Sequence, residues 1–444
     1  MTYQEIEDKG RGGFAIVKIV EDSQGVRFAK KIYSPMENIL ANVGNDHLKK
    51  RFIREIKYQS KIKHLNVVPI VESYFDEEPP YFIMPLAECT LQEQLIVDPT
   101  LSGNPKKALF DVLAGLECMH ELGYVHRDLK PANILKFIGN GDTHYSISDF
   151  GLMSVNESDS STLTGDNAQG GTQNYAAPEL MRNFKSATHL ADIYSFGAIL
   201  HDIFGNGTRR IPYRELSLPG EIGDIVNKCT KSNASRRYNS ISSLRDALYK
   251  VLDETEVTFS SSNEESSVQV LKSTNNLTDE QWDNIFLLFE QDDDEQLNGC
   301  RNIISNISAE HLSHLKSESP ELFVALGHYF ATHICGNSFD FDYCDILSSK
   351  AELLYEEGDL TVKAKIALSL LELGVSHNRW YVQRKFMKLA GSSITEHLAN
   401  RILVEIEVNE INFEHKILHI ENSIDTTRQH LHPILSQQLN KAPK

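Results

Sequence analysis

Val125-His126-Arg127-Asp128-Leu129-Lys130-Pro131-Ala132-Asn133 is the stretch on which the reading of this 444-residue chain turns. Upstream of it, Lys107 to Leu122 places Leu109, Val112, Leu113, Leu116 and Met119 on one face at helical spacing. Downstream, Ile134 to Phe137 and Tyr145 to Ile147 read as two short strands, joined by Gly139-Asn140-Gly141-Asp142, a hairpin composition. The polar stretch therefore lies between an apolar helix and a hairpin, and Asp149-Phe150-Gly151 follows directly.

Phosphoryl transfer needs little covalent help from a protein. It needs alignment, a divalent metal, and cations around the equatorial oxygens. Candidates for each requirement stand in order along the chain. Gly10-Arg11-Gly12-Gly13-Phe14-Ala15-Ile16-Val17 is a glycine-rich turn entering a strand, and glycines let backbone N–H groups approach phosphates. A dinucleotide-binding motif would place a helix after the glycines; here the β-rich run Phe14 to Val20 follows, then Asp22-Ser23-Gln24-Gly25 as a turn, then a second β-rich run, Val26 to Tyr33. That second strand carries Phe28-Ala29-Lys30-Lys31. Strand alternation sends the two lysines to opposite faces, so only one can enter a site. Lys49 to Lys63 is a basic helix, with Phe52, Ile53, Ile56, Tyr58 and Ile62 recurring at helical spacing and Glu55 among them. Val67 to Val71 and Tyr81 to Met84 are further apolar segments.

In combination these residues resemble the eukaryotic-type serine/threonine protein kinase family over residues 1–252, more than half of the chain. The Val125–Asn133 stretch matches the family's H-R-D-L-x-x-x-N loop at every fixed position. The resemblance implies Asp128 as acceptor of the substrate hydroxyl proton, Lys130 as a charge near the moving phosphate, and Arg127 as a partner for a phosphorylated loop residue. It gives His126 a packing and hydrogen-bonding role. Asn133 and Asp149 become the metal ligands, with Mg²⁺ or Mn²⁺ as the ion. Lys31, not Lys30, aligns with the phosphate-binding lysine, and Glu55, nine residues before His64, is its pairing partner. ATP would be held by Gly10, Gly12, Gly13, Val17, Ala29, Lys31, Met84 as gatekeeper, the backbone of Leu86 and Ala87, and Asn133. Gly171-Thr172 and Ala177-Pro178-Glu179 close the segment after Asp149, and Thr172 would contact Asp128 and Lys130. Asp192 and Arg237 take structural roles, the latter against Glu179. Ser158, Ser160, Ser161, Thr162 and Thr164 lie in that same segment; Thr162 and Thr164 lead the candidates for phosphorylation, followed by Ser160 and Ser161. Three features depart from the pattern: Ala15 replaces the third glycine, Pro85 replaces the acidic hinge residue and lacks an N–H, and Glu179 to Arg237 is short.

The fold class implied is α+β: a bilobal kinase domain (N-lobe 1–86, C-lobe 87–252), then an all-α helical-hairpin domain over 276–444. Residues 253–275, with Ser260-Ser261-Ser262-Asn263-Glu264-Glu265-Ser266-Ser267, read as an acidic serine-rich linker. Beyond it, Leu360 to Leu373 and Arg379 to Leu389 form the clearest helix pair, in the style of a degenerate HEAT stack. The net charge of −18 is concentrated here: residues 253–444 carry −16 and residues 1–252 carry −2. That balance argues against a sequence-independent grip on nucleic acid and suits a docking module for an unidentified protein. The six cysteines are widely spaced, without a Cys-x-x-Cys pair, so neither a zinc ribbon nor a disulfide framework is expected. No run approaches the length of a membrane span; with a first segment unlike a signal peptide, the expectation is a cytoplasmic enzyme acting on a protein substrate. The rival reading is a pseudokinase, or a kinase-controlled scaffold whose helical domain is the effector. Against a pseudokinase, Lys31, Asp128, Asn133 and Asp149 are all present.

Overall fold

A computed structural model describes residues 3–139, 142–150, 172–182, 188–207, 210–252, 259, 261–290, 297–424 and 426–439. The chain divides into two compact units, Met1–Leu252 and Asp253–Lys444.

The first unit opens with a five-stranded antiparallel sheet made of β1 (Gln4–Arg11), β2 (Ala15–Glu21), β3 (Arg27–Tyr33), β4 (Glu72–Tyr74) and β5 (Tyr81–Pro85), in spatial order β1-β2-β3-β5-β4. Between β3 and β4 come α1 (Glu37–Val43) and α2 (Asn45–Gln59). The sequence dictates how α2 packs. Leu48, Phe52 and Ile56 recur every four residues and are all buried, against Tyr33, Val68, Phe82 and Met84. Burying each such side chain stabilises the lobe by about 1.5–3 kcal/mol. Glu55 is buried on the same helix.

The remainder of the unit is mostly helical: β6 (Cys89–Thr90), α3 (Leu91–Val97), α4 (Lys106–Glu121), β7 (Ile134–Gly139), β8 (Asp142–Ile147), α5 (Pro178–Arg182), α6 (Leu190–Phe204), α7 (Gly220–Cys229) and α8 (Ile241–Leu252). Strands β7 and β8 pair antiparallel with Gly139 opposite Asp142, and β6 adds to β7. Helix α4 is buried along nearly its whole length and packs on β8. Gly115 permits that approach, because a Cβ there would sit 2.4 Å from the Asn66 carbonyl oxygen.

The second unit is all-helical where described: α9 (Ser262–Ser273), α10 (Asp279–Glu290), α11 (Leu297–Asn306), α12 (Ala309–Glu318), α13 (Pro320–Gly336), α14 (Phe341–Glu357), α15 (Leu360–Ser376), α16 (Trp380–Leu389), α17 (Glu396–Val408), α18 (Phe413–Ile424) and α19 (Pro433–Leu439). From α12 onward, helices pack on their next-but-one neighbours. One row is α13, α15, α17 and α19; the other is α12, α14, α16 and α18. Helix α15 is the common core, with Val362, Ile366, Leu370, Leu371 and Leu373 fully buried. Arg379 clasps the buried carboxylate of Asp345 through two bonds of 2.8 and 2.7 Å.

The linker expected over 253–275 is corrected by α9. Ser261 caps it by accepting a hydrogen bond from the Glu264 N–H, and Val268 and Leu271 bury its apolar side. Two buried apolar residues and a cap suffice for three turns of helix when the neighbouring helices α10 and α11 supply the packing.

Gly115→Ala is expected to lower stability by about 1–3 kcal/mol, because the new methyl collides with backbone rather than with a movable side chain. Urea unfolding followed by circular dichroism should show an earlier midpoint; an unchanged midpoint would refute the packing account.

Candidate active site

The polar loop between α4 and β7 is held from below by one carboxylate. Asp192, fully buried on α6, accepts the His126 N–H at 2.9 Å and the Arg127 N–H at 2.8 Å, and its Oδ2 lies 2.8 Å from His120 Nε2. Arg127 is thereby fixed at φ 67°, a conformation that a non-glycine residue adopts only when its surroundings impose it. His126 joins this loop to the next. Its Nε2–H donates to the Ser148 carbonyl at 3.0 Å, its Nδ1 accepts from the Asp128 N–H at 3.3 Å, and its ring lies 5.6 Å from that of Phe150. The residue after Ser148, Asp149, also sits at positive φ, 64°.

Above this loop stands Lys31. Its ammonium donates to Glu55 at 2.7 Å and lies 3.4 Å from Asp149 Oδ1. Alternation on β3 sends its neighbour the other way: Lys30 bonds Glu5 at 3.2 Å and lies over the Tyr81 ring. Burial works against a charged Lys31, but the carboxylates of Asp149 and Glu55 outweigh it and hold the ammonium above its ordinary range. Burial pushes Glu55 up, opposed by Lys31. For Asp149, burial would also raise the carboxyl, yet the charges of Lys31 and Lys130 prevail and place it at about 2.

Asp128 meets Lys130 at 2.8 Å and Asn133 Nδ2 at 3.3 Å. Asn133 Nδ2 also donates to the Asp128 carbonyl at 2.9 Å. With its nitrogen so engaged, the Asn133 amide presents oxygen as its free end. Asn133 and Asp149 line the same cleft. Two oxygen ligands suit a small hard cation that keeps water and takes phosphate oxygens for its remaining positions.

The cleft encloses about 260 Å³. It gathers Gly10, Val17, Ala29, Lys31, Met84, Leu86, Ala87, Asn133 and Asp149 from the residues singled out in the sequence. Gly12 and Gly13 lie elsewhere, at the apex of the β1–β2 turn. There the Gly12 N–H bonds the Ala15 carbonyl, and the Gly13 carbonyl accepts the Met36 N–H. Gln59, Cys89, Thr90, Glu93 and Leu135 also line the cleft; no motif marks them, since they arrive there only through helix and strand packing. Thr172 opens a 3-10 turn, Thr172–Asn174, and its side chain is outside the described residues. Ser158, Ser160, Ser161, Thr162 and Thr164 are also outside them. Farther along, Arg237 clasps Glu179 through bonds of 2.6 and 2.8 Å.

The model of the protein kinase domain matches residues 3–257, and the chain therefore belongs to the protein kinase family. The mitogen-activated protein kinase HOG1 of Chaetomium globosum is 31% identical over 252 residues, covering 54% of this chain and 65% of that protein. The mitogen-activated protein kinase mpkC of Aspergillus oryzae is 28% identical over 251 residues, covering 54% and 68%. The chain thus spans about two thirds of the length of these relatives, and the family model's match ends at residue 257. No helix among the described residues is long and apolar enough to cross a membrane.

Burial would raise the Asp192 carboxyl, but hydrogen bonding and charge from His120, with His126 and the Arg127 N–H, outweigh it and leave it below the ordinary value of 3.8. A carboxyl lowered on folding contributes stability that is complete above its unfolded pKa and is lost as the pH falls through its folded one. Asp192→Asn is expected to cost roughly 2 kcal/mol at pH 7 and to shrink the loss of stability on acidification below about pH 4. Urea titrations at pH 7 and pH 3 measure both; parallel acid limbs for the two proteins would contradict the assignment.

Proposed function

We propose that this protein is a serine/threonine protein kinase that transfers the γ-phosphate of ATP to a protein hydroxyl. The observation that carries the reading is the convergence of Lys31, Glu55, Asp149, Asp128 and Asn133, drawn from distant parts of the chain, around one cleft. In this reading Asp128 takes the proton from the attacking hydroxyl and aligns its oxygen. Lys130, 2.8 Å from that carboxylate, lends positive charge where negative charge builds. Lys31, braced by Glu55, steadies the nucleotide phosphates. Asn133 and Asp149 would hold a divalent cation, Mg²⁺ or Mn²⁺, which when bound neutralises phosphate charge. Leu86 and Ala87 offer backbone groups to the adenine, with Met84 behind them. Pro85 removes one donor from that edge.

The serine/threonine assignment rests on Lys130 after the catalytic aspartate and on Thr172 in the segment that ends at Glu179. Regulation belongs to the same reading. A phosphate on Thr162, Thr164, Ser160 or Ser161 would meet Arg127, and the acidic helical unit would dock a protein partner or restrain the kinase. The Lys31–Glu55 ion pair and the presence of both aspartates support this reading over the pseudokinase alternative.

Incubation with γ-radiolabelled ATP, Mg²⁺ and a general protein acceptor should label serine and threonine. Asp128→Ala is expected to reduce the rate by a factor of about 10²–10⁴, and Asp149→Asn should abolish labelling. A binding-only protein would show equal background for all three forms. Mass spectrometry of the active protein and of Asp128→Ala tests the loop: phosphate on Thr162 or Thr164 in the first and none in the second is the expected result. Unmodified loop peptides from the active protein would remove this mode of regulation.

A further inference from the structure

Arg51 lies on α2 four residues before Glu55, so the two side chains share one helix face. Glu55 on that face reaches Lys31 in the cleft at 2.7 Å. Arg51 turns instead to the glycine-rich turn, where its guanidinium carbon lies 5.4 Å from the centre of the Phe14 ring. Phe14 stands at the apex of the glycine-rich turn between β1 and β2 and is 36% exposed. The opposite side of the turn is tied down as well. The Ser34 N–H donates to the Phe14 carbonyl and the Met36 N–H to the Gly13 carbonyl, both at 3.0 Å. A Cβ on Gly13 would meet Ile39 of α1 at 3.0 Å, so the turn rests directly on that helix.

From this geometry we propose that Arg51 is a positioning residue, clamping Phe14 so that the glycine-rich turn is held at a fixed height over the nucleotide phosphates. The inference rests on the kinase reading above and adds a residue that no motif identifies. The charge is placed for a second effect. Burial lowers the guanidinium to about 10, so Arg51 stays protonated at neutral pH, and among its electrostatic neighbours are Glu55, Asp149 and Asp128. One cation on the helix that braces Lys31 therefore stands against the glycine-rich turn, within electrostatic range of the cleft's carboxylates. A flexible glycine turn would otherwise lose conformational freedom at each binding event. Stacking a guanidinium on its aromatic residue meets part of that cost before the nucleotide arrives.

The test is calorimetric titration of the full-length chain with the non-hydrolysable analogue adenylyl imidodiphosphate and Mg²⁺. Arg51→Ala is expected to weaken binding about three- to tenfold. Arg51→Lys, which keeps charge but loses the flat stacking surface, should fall between. Phe14→Ala should match Arg51→Ala, and the double variant should be no weaker than either single one. In turnover assays the same variants should raise KM for ATP by a similar factor with kcat nearly unchanged, whereas a general loss of fold would lower kcat. Because Phe14 is at the surface, Phe14→Leu carries the comparison even where Arg51→Ala is poorly folded. Binding that persists unaltered in Arg51→Ala, or penalties for Arg51→Ala and Phe14→Ala that simply add, would overturn the clamp and leave the kinase reading standing. Failure of the unaltered chain to bind the nucleotide would overturn both.

Discussion

The structure of the kinase unit depends on the carboxylate of Asp192. A buried charge without partners is expensive, and this one has three: two consecutive backbone N–H groups and the ring of His120. Because the donors are consecutive, the carboxylate fixes the backbone of His126 and Arg127, and Arg127 takes a positive φ in consequence. His126 carries the constraint onward, with one ring nitrogen bonded to Ser148 and the other to the Asp128 N–H. The catalytic candidate Asp128 and the metal candidate Asp149 are thus set relative to each other by a chain of bonds that neither of them makes to the other. A site built in this way keeps its geometry without ligand, which is what electrostatic preorganisation requires.

The chemistry of this site was legible because it depends on residue types at short, fixed spacings. Loop residues from His126 to Asn133 converge through local geometry, and a reading of the sequence alone finds them. Lys31 and Glu55 were legible for a different reason: alternation admits only one of Lys30 and Lys31 to a site, the resemblance to the kinase family selects Lys31, and the nine-residue spacing to His64 selects Glu55. What escaped was whatever depends on packing between elements. Strand β1 is exposed along its entire length and shows no alternation of apolar residues, so nothing in Gln4 to Arg11 announces a strand; pairing with β2 makes it one. The serines and glutamates of helix α9 give it the composition of a linker and mask its two apolar contacts. Arg51 was one basic residue among several on α2, and only the fold shows that it lies against the Phe14 ring of the glycine turn.

The second unit follows a different logic. From α12 onward its helices stack in two rows around α15, and the buried polar contacts, such as Arg379 on Asp345, tie one helix to another. Breaking such a pair leaves a buried charge, so these contacts fix which helices adjoin more than they add net stability. A stack of this kind presents long continuous surfaces, and this one carries nearly all of the chain's net negative charge. Self-repulsion on that scale opposes compaction, and the fully buried apolar rows of α15 offset it. The two units therefore divide the work by physical means. One holds a few charges in fixed opposition around a cleft, with nearly balanced net charge. The other spreads excess charge over a surface that the apolar core beneath it keeps in shape.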